Sequence, residues 1–312
     1  MNVFRRLRKH PDSDSTPQGG IGDAAGDMKE KPDTAPLKLN VEGTTRPLPT
    51  DDTPAYTSEH LSFAQASDVG IVRTNNQDAA ASFFATLSSA ENRPDFGIFV
   101  IADGMGGHHD GEKASAIAAR TVLAELTRRV YLPLLSMDEE QRPQITEAIN
   151  DAILLANDAV INLVPEGGTT LTACVIVGDF AYFGHVGDSR AYIIHQGQAE
   201  QITRDHSYVQ RLYELGNLDS NELSNHPQKN VLYRALGQPE MQEVDVTWRR
   251  LPANSALLLC SDGLWGQVRD NELVKALAAH VEPPTVCREL IAQANLNGGI
   301  DNVSVILVRI PG

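Results

Sequence analysis

Four aspartates stand where an apolar stretch meets Gly, Ser or Asn: Asp103 in "FVIADGMGG", Asp188 in "FGHVGDSR", Asp262 in "LLLCSDG" and Asp301 in "NGGIDNVS". Each is read as closing a β-type run. Taken singly, an Asp-Gly after a strand is ordinarily a turn, because aspartate caps its own backbone and glycine accepts positive φ. Four in one chain suggest carboxylates converging on one rim of a sheet. Such carboxylates repel one another and are costly near a core unless a cation neutralises them. Hard oxygen ligands of this kind suit Mg²⁺ or Mn²⁺, which keep several waters and take few carboxylates.

The elements that must carry these residues are legible from periodicity. "FGIFVIAD", "TLTACVIVGDFAYFGHVGDSRAYIIHQGQAEQIT", "ALLLCSDG" and "NVSVILVRI" are rich in Val, Ile, Phe and Tyr and bounded by turn residues, as strands are. Apolar residues at i, i+3 and i+4 predict helices over 111–135 and 144–164, and a later helix broken at Pro283-Pro284. Short turns at 178–181 and 195–199 imply antiparallel pairing, since parallel strands need a long crossover. With helices grouped rather than alternating with strands, the class is α+β. The polar stretch 204–238 interrupts the strand series and reads as an inserted excursion.

Composition bounds the function. A 312-residue chain with 41% hydrophobic and 21% charged residues can bury a full core. Net charge is −15, of which about −13 falls in residues 61–312 (18 Lys and Arg against 31 Asp and Glu). That field argues against nucleic acid and anionic membranes as partners, while a phosphate substrate would need cations at its site. No apolar run approaches the ~20 residues of a membrane span, and no secretory signal is evident, so a cytoplasmic protein is expected. Cys174, Cys260 and Cys287 show no metal-type spacing and read as core thiols. Residues 1–60 hold 7 of the 17 prolines and few large apolar residues, which predicts a disordered tail.

The ordered set "SDVGIVRTNNQDA" (67–79), "DGMGGHHDGEKAS" (103–115), "TLTACVIVGDFAYFGHVGDSRAY" (170–192), "ITRDHSYVQRLYELG" (202–216), "NVLYRALG" (230–237), "LLLCSDGLWGQV" (259–268) and "GGIDNVSVILV" (298–308) resembles the metal-dependent serine/threonine protein phosphatases of type 2C in their bacterial form. The likeness covers residues 61–310, within a catalytic domain expected over 61–312. It implies a four-layer α-β-β-α sandwich, a central antiparallel β-sandwich flanked by helices, with the flap at about 204–238. It also implies hydrolysis of phosphoserine and phosphothreonine by direct attack of a hydroxide that bridges two Mn²⁺ or Mg²⁺ ions.

Residue by residue, the resemblance makes Asp103 the bridging ligand, Gly104 a backbone-carbonyl ligand, Asp262 and Asp301 the ligands of the second ion, and Asp78 the holder of a metal-bound water. Asp188 would join Asp262 at a third ion, and Arg73 would clamp the substrate phosphate. His108 stands as general acid or as a surface histidine, with both readings open; His109 reads as surface. His206 and His226, in the flap, read as packing or solvent-facing residues, with substrate contact the alternative. Phosphorylated proteins, a Ser/Thr kinase and its substrates are the implied partners, and a monomer is expected. A catalytically inert relative would lack Asp103, Asp262 or Asp301, and all three are present.

Overall fold

The structure is a computed structural model that describes residues 60–86, 95–107, 109–136, 144–219, 222, 226–239 and 243–312. Residues 1–59 of the expected disordered tail and His108 lie outside the described residues.

Two antiparallel sheets form the centre. One has the order β1 (Ser62–Asp68), β11 (Val303–Arg309), β10 (Ala256–Cys260), β7 (Arg190–His195), β8 (Gln198–Gln201). The other runs β2 (Asp78–Ala85), β3 (Phe96–Met105), β5 (Leu171–Val177), β6 (Phe180–Val186), β9 (Asp245–Arg250), with the short β4 (Gly168–Thr169) on β3. The expected hairpins are β5–β6 and β7–β8.

The long apolar runs have a simple cause, burial on both faces. In β3, Phe99 and Ile101 point into the layer between the sheets, where they meet Leu257, Leu259, Ile306 and Val308. Their neighbours Ile98 and Val100 point the other way, toward the helices α1 (Asp110–Leu126) and α3 (Ile145–Leu163). The same alternation in β10 sends Leu258 and Cys260 toward the helices α6 (Asp270–Ala279) and α7 (Pro283–Leu296). Four layers, α-β-β-α, follow from that period of two. All three cysteines are buried free thiols.

The helical predictions needed two local revisions. The helix expected over 111–135 ends as α1, passes through a π-helical turn at Thr127–Tyr131 and closes with α2 (Leu132–Leu134). Pro283-Pro284 starts α7 rather than breaking one helix, because proline at the first helical positions gives up only a donor that has no partner there. The excursion at 204–238 holds α4 (Tyr208–Glu214) and is tied to the sandwich by backbone bonds between Thr169 and Leu236 and between His206 and Gly187.

Candidate active site

The aspartates do not all end strands. Asp188 follows β6, but β3 continues two residues past Asp103, because Gly104 and Met105 pair with β4. Asp262 opens a four-residue helix, α5 (Asp262–Trp265), and Asp301 precedes β11 instead of closing a run. What they share is an end of the sandwich rather than a position in a strand.

Asp78 and Asp103 are directly opposite one another in the β2–β3 register. Side chains of such a cross-strand pair project to the same face a few ångströms apart, and like charges there are destabilising. Asp262 and Asp301 come from the neighbouring β10 and β11 segments of the other sheet. The two pairs are joined across the sheets by Ser261, whose Oγ donates to Asp78 Oδ2 at 2.7 Å.

The electrostatics records the convergence. Burial, and then the charges of Asp78, Asp262, Asp188 and Asp301, push Asp103 well above the usual carboxylate range. Burial raises Asp78 to about 7, with Asp262 and Asp301 adding to the rise and hydrogen bonds from Ser261 and Ser304 opposing it. Asp262 rises to about 6, first through burial and then through Asp301. Asp188 rises well above its ordinary value through burial and the charge of Asp262.

Two buried carboxylate oxygens, Asp78 Oδ1 and Asp262 Oδ1, have no hydrogen-bond partner. A buried acceptor left unmet is costly, and a carboxylate more so. Among the described residues no three His, Cys, Asp or Glu side chains close round one point as a ready cage. The fit to a divalent cation rests on the orphaned oxygens and the mutual repulsion, and on the hardness of a donor set that suits ions completing their shells with water.

Backbone packing decides the glycines. A Cβ on Gly104 would stand 2.1 Å from the Gly111 carbonyl oxygen and 2.6 Å from that of Gln77, so glycine is required by the approach of α1. Gly106 has φ +143°, a conformation that favours glycine.

Arg73 is half exposed beside the carboxylates, and its Nη2 donates to Asp301 Oδ2 at 2.6 Å. That bond, followed by the charges of Asp301, Asp262 and Asp103, raises its pKa. His109 is exposed and pairs with Glu112 at 3.3 Å. His206 is buried: its Nδ1 accepts from Gly187 N at 3.1 Å and its Nε2 faces Asp245 at 3.1 Å, a packing role. His226 Nδ1 caps its own turn by accepting from Gln228 N.

Several positioning residues escaped sequence reasoning. Asn302 is buried and accepts from Gln77 N while donating to the Val69 and Asn75 carbonyls, which fastens the Arg73 loop beside Asp301. The Thr170 hydroxyl accepts from Asp103 N, and Thr169 donates to Asp103 O. Trp265 Nε1 donates to Asp188 O at 2.9 Å, and the Arg190 guanidinium, held bidentately by Asp205, lies 3.7 Å over the Trp265 ring. Lys229, exposed in the excursion, places positive charge within reach of Asp262. Only the partner distances in space reveal these roles; the residue types give no local signal.

A β-sandwich between helical layers with carboxylates at one end and an arginine at their edge defines a metal-dependent phosphoryl hydrolase. The comparisons agree. The family profile described as "Protein phosphatase 2C" matches residues 71–297. The serine/threonine phosphatase stp of Listeria monocytogenes is 34% identical over 244 residues, 78% of this chain and 93% of that protein. The crystal structure of the Mycobacterium tuberculosis serine/threonine phosphatase PstP/Ppp superposes with a TM-score of 0.66 at 33% identity, over 81% of this chain and 99% of that one. The PstP catalytic domain in complex with two manganese ions gives 0.65 at 31%, over 81% and 99%. The chain belongs to the protein phosphatase 2C family. It is a protein-serine/threonine phosphatase that depends on Mn²⁺ or Mg²⁺. No described helix is long and apolar enough to cross a membrane.

Proposed function

We propose that residues 61–312 form the catalytic domain, with the flap at about 204–238, and that it hydrolyses phosphoserine and phosphothreonine by direct attack of water, without a phosphoenzyme. The supporting observation is the cross-strand pair Asp78 and Asp103 held in the field of Asp262 and Asp301 with two carboxylate oxygens unpartnered. Asp103, the Gly104 carbonyl, Asp262 and Asp301 would hold two divalent cations, Asp78 would anchor a water of their shell, and Asp188 with Asp262 would hold a third. When bound, these ions acidify water to near neutrality and supply positive charge for the phosphoryl oxygens.

The chain's own residues do the rest. Arg73 presents a planar fork to two phosphate oxygens, and its half-exposed position leaves it accessible to a protein-borne substrate. Ser261 and Asn302 keep Asp78 and Asp301 in place without charge of their own. His108 is assigned the proton for the leaving seryl or threonyl oxygen. Equal losses in His108→Ala on a phosphopeptide and on an aryl phosphate, whose leaving group needs no proton, would remove it from that role. No cysteine takes part, since burial raises the Cys174 thiol well above its ordinary value, Cys260 to about 12 and Cys287 to about 11, far from the thiolate a nucleophile needs.

The protein is placed in the cytoplasm as a monomer that opposes a Ser/Thr kinase. An unchanged phosphothreonine content of cellular proteins on deleting the gene would contradict that placement. The direct test of the chemistry is phosphate release from a phosphothreonine peptide by the full chain with Mn²⁺, with EDTA, and with Asp262→Asn. Release is expected with Mn²⁺ alone; release that survives EDTA, or that Asp262→Asn leaves intact, defeats the mechanism.

A further inference from the structure

A second pocket, of about 620 Å³, lies on the flap side of the Asp188 loop. His206 lies at its buried base, Tyr208 and Tyr233 are partly exposed around it, and Arg204, Arg211 and Arg234 line it as well. The pocket and the carboxylate cleft share one loop. His206 N donates to Gly187 O at 2.7 Å and Gly187 N donates back to His206 Nδ1, while the next residue is Asp188.

The charges of this pocket are arranged unlike those of the cleft. Arg204 is paired with Glu214, and Arg234 with Glu243 at 2.6 Å and Asp245 at 3.0 Å. Asp245 also faces His206. Arg211 is exposed and makes no side-chain hydrogen bond or ion pair among the described residues. Of the residues that line the pocket itself, three arginines face two carboxylates, Glu243 and Asp245, so with His206 neutral the lining carries one net positive charge; Glu214, which pairs with Arg204, also feels the charge of Arg211. Glu243 is 78% exposed, and exposed ion pairs contribute only ~0–1 kcal/mol. A phosphate dianion offers arginine stronger, bidentate bonds, and it can displace such a carboxylate. In a chain of net charge −15, a pocket lining of three arginines against two carboxylates is a local inversion suited to an anion. The two tyrosines add apolar walls and hydroxyl donors.

We propose that this pocket is a docking subsite for a second phosphorylated residue on the same substrate chain, so that multiply phosphorylated segments are preferred over singly phosphorylated ones. The inference rests on the phosphatase reading of the cleft for the identity of the ligand. An extended peptide advances roughly 3.3 Å per residue, so only certain spacings of the two phosphates serve both sites.

Two measurements on the full chain test it. In the first, kcat and KM are determined for peptides carrying one phosphothreonine and for a series carrying a second one at increasing distance on either side. At the serving spacing KM is expected to fall about tenfold, the worth of one charge-assisted contact. Arg211→Glu should abolish that gain, Arg211→Lys should keep part of it, and neither should alter kcat on the singly phosphorylated peptide. Equal KM at every spacing, or equal losses in Arg211→Glu on both peptide types, overturns the proposal.

In the second, binding of a singly phosphorylated peptide is followed by fluorescence anisotropy in EDTA, where the cleft carboxylates repel phosphate. Salt-sensitive binding that survives Arg73→Ala and is lost in Arg211→Glu is expected; no binding, or binding indifferent to Arg211→Glu, overturns it. A wild type that binds in EDTA but hydrolyses no peptide with Mn²⁺ would instead defeat the phosphatase reading and leave the anion site standing.

Discussion

The carboxylate cleft and the arginine pocket lie on either side of Gly187-Asp188 and solve opposite problems. In the cleft, like charges are enclosed and two of their oxygens lack partners. In the pocket, unlike charges are paired near the surface and, among the described residues, Arg211 makes no direct ion pair. An enclosed, unpaired charge is too costly to be incidental, so it implies a ligand of opposite sign held as part of the working molecule. A paired, exposed charge costs little, so its ligand comes and goes.

That contrast ranks the expected effects. Asp103 is central, because it sits opposite Asp78 and feels every other carboxylate of the group. Asp103→Asn should lower Mn²⁺-dependent phosphopeptide hydrolysis by at least ~100-fold, since even residues behind metal ligands are typically worth 10–100-fold. Calorimetric titration should show weakened Mn²⁺ binding alongside. Full activity with unchanged Mn²⁺ affinity would erase the distinction between the two regions.

Arg73 belongs to the edge of the cleft, where a charge-assisted contact is worth about 1.5–3 kcal/mol. Arg73→Ala should raise KM for a phosphopeptide about tenfold or more, with a smaller change in kcat. A raised KM of that size separates a substrate clamp from a residue that merely neutralises Asp301. If KM were unchanged, the 2.6 Å bond to Asp301 would be the whole of its role.

The fold was largely legible because its signals are local. Alternating burial made the strands apolar throughout, helical spacing marked α1 and α3, and turn residues marked the hairpins. The site was legible only in part. Asp103 and Asp262 announced themselves by breaking apolar runs, whereas the register that sets Asp78 against Asp103 depends on the pairing of β2 with β3, which a period of two cannot specify. Asn302 and Ser261 act on residues 183 or more positions away, so nothing beside them in sequence signals the role. Asp301 was misread as a strand end because an isolated Asp-Asn at a strand boundary looks the same from either side. The arginine pocket was hidden for the same reason as the register: its residues gather from α4, the segments at 204–206 and 233–234, and the start of β9.

The enclosure of the carboxylates has a consequence for stability. Burial raises Asp78 to about 7 and Asp262 to about 6 from 3.8. The metal-free native state therefore keeps protons that the unfolded chain releases between about pH 4 and pH 7, and stability from this source falls as pH rises through that window. In EDTA, Tm should drop by a few degrees from about pH 5 to about pH 8, where 1 kcal/mol moves a domain of this size ~2–4 °C. Mn²⁺ added at the upper pH should restore it, since the cation binds the native state alone. Asp103→Asn should flatten the EDTA profile; a wild-type Tm that rises across the window would contradict the picture.

The smallest effect is expected at Lys229, which shares features of both regions. It is exposed like the pocket residues, yet its charge reaches Asp262 in the cleft. An exposed charge acting through solvent is worth a few tenths to 1 kcal/mol and is screened over about 10 Å at 0.1 M salt. Lys229→Ala should therefore raise KM for a phosphopeptide only ~2–5-fold at low ionic strength, and the difference from wild type should vanish near 1 M salt. The Arg73 effect should survive that salt, because a contact inside the cleft is screened far less. Equal salt sensitivity in the two variants would mean that Arg73 also acts at long range rather than as a short-range contact to the phosphate.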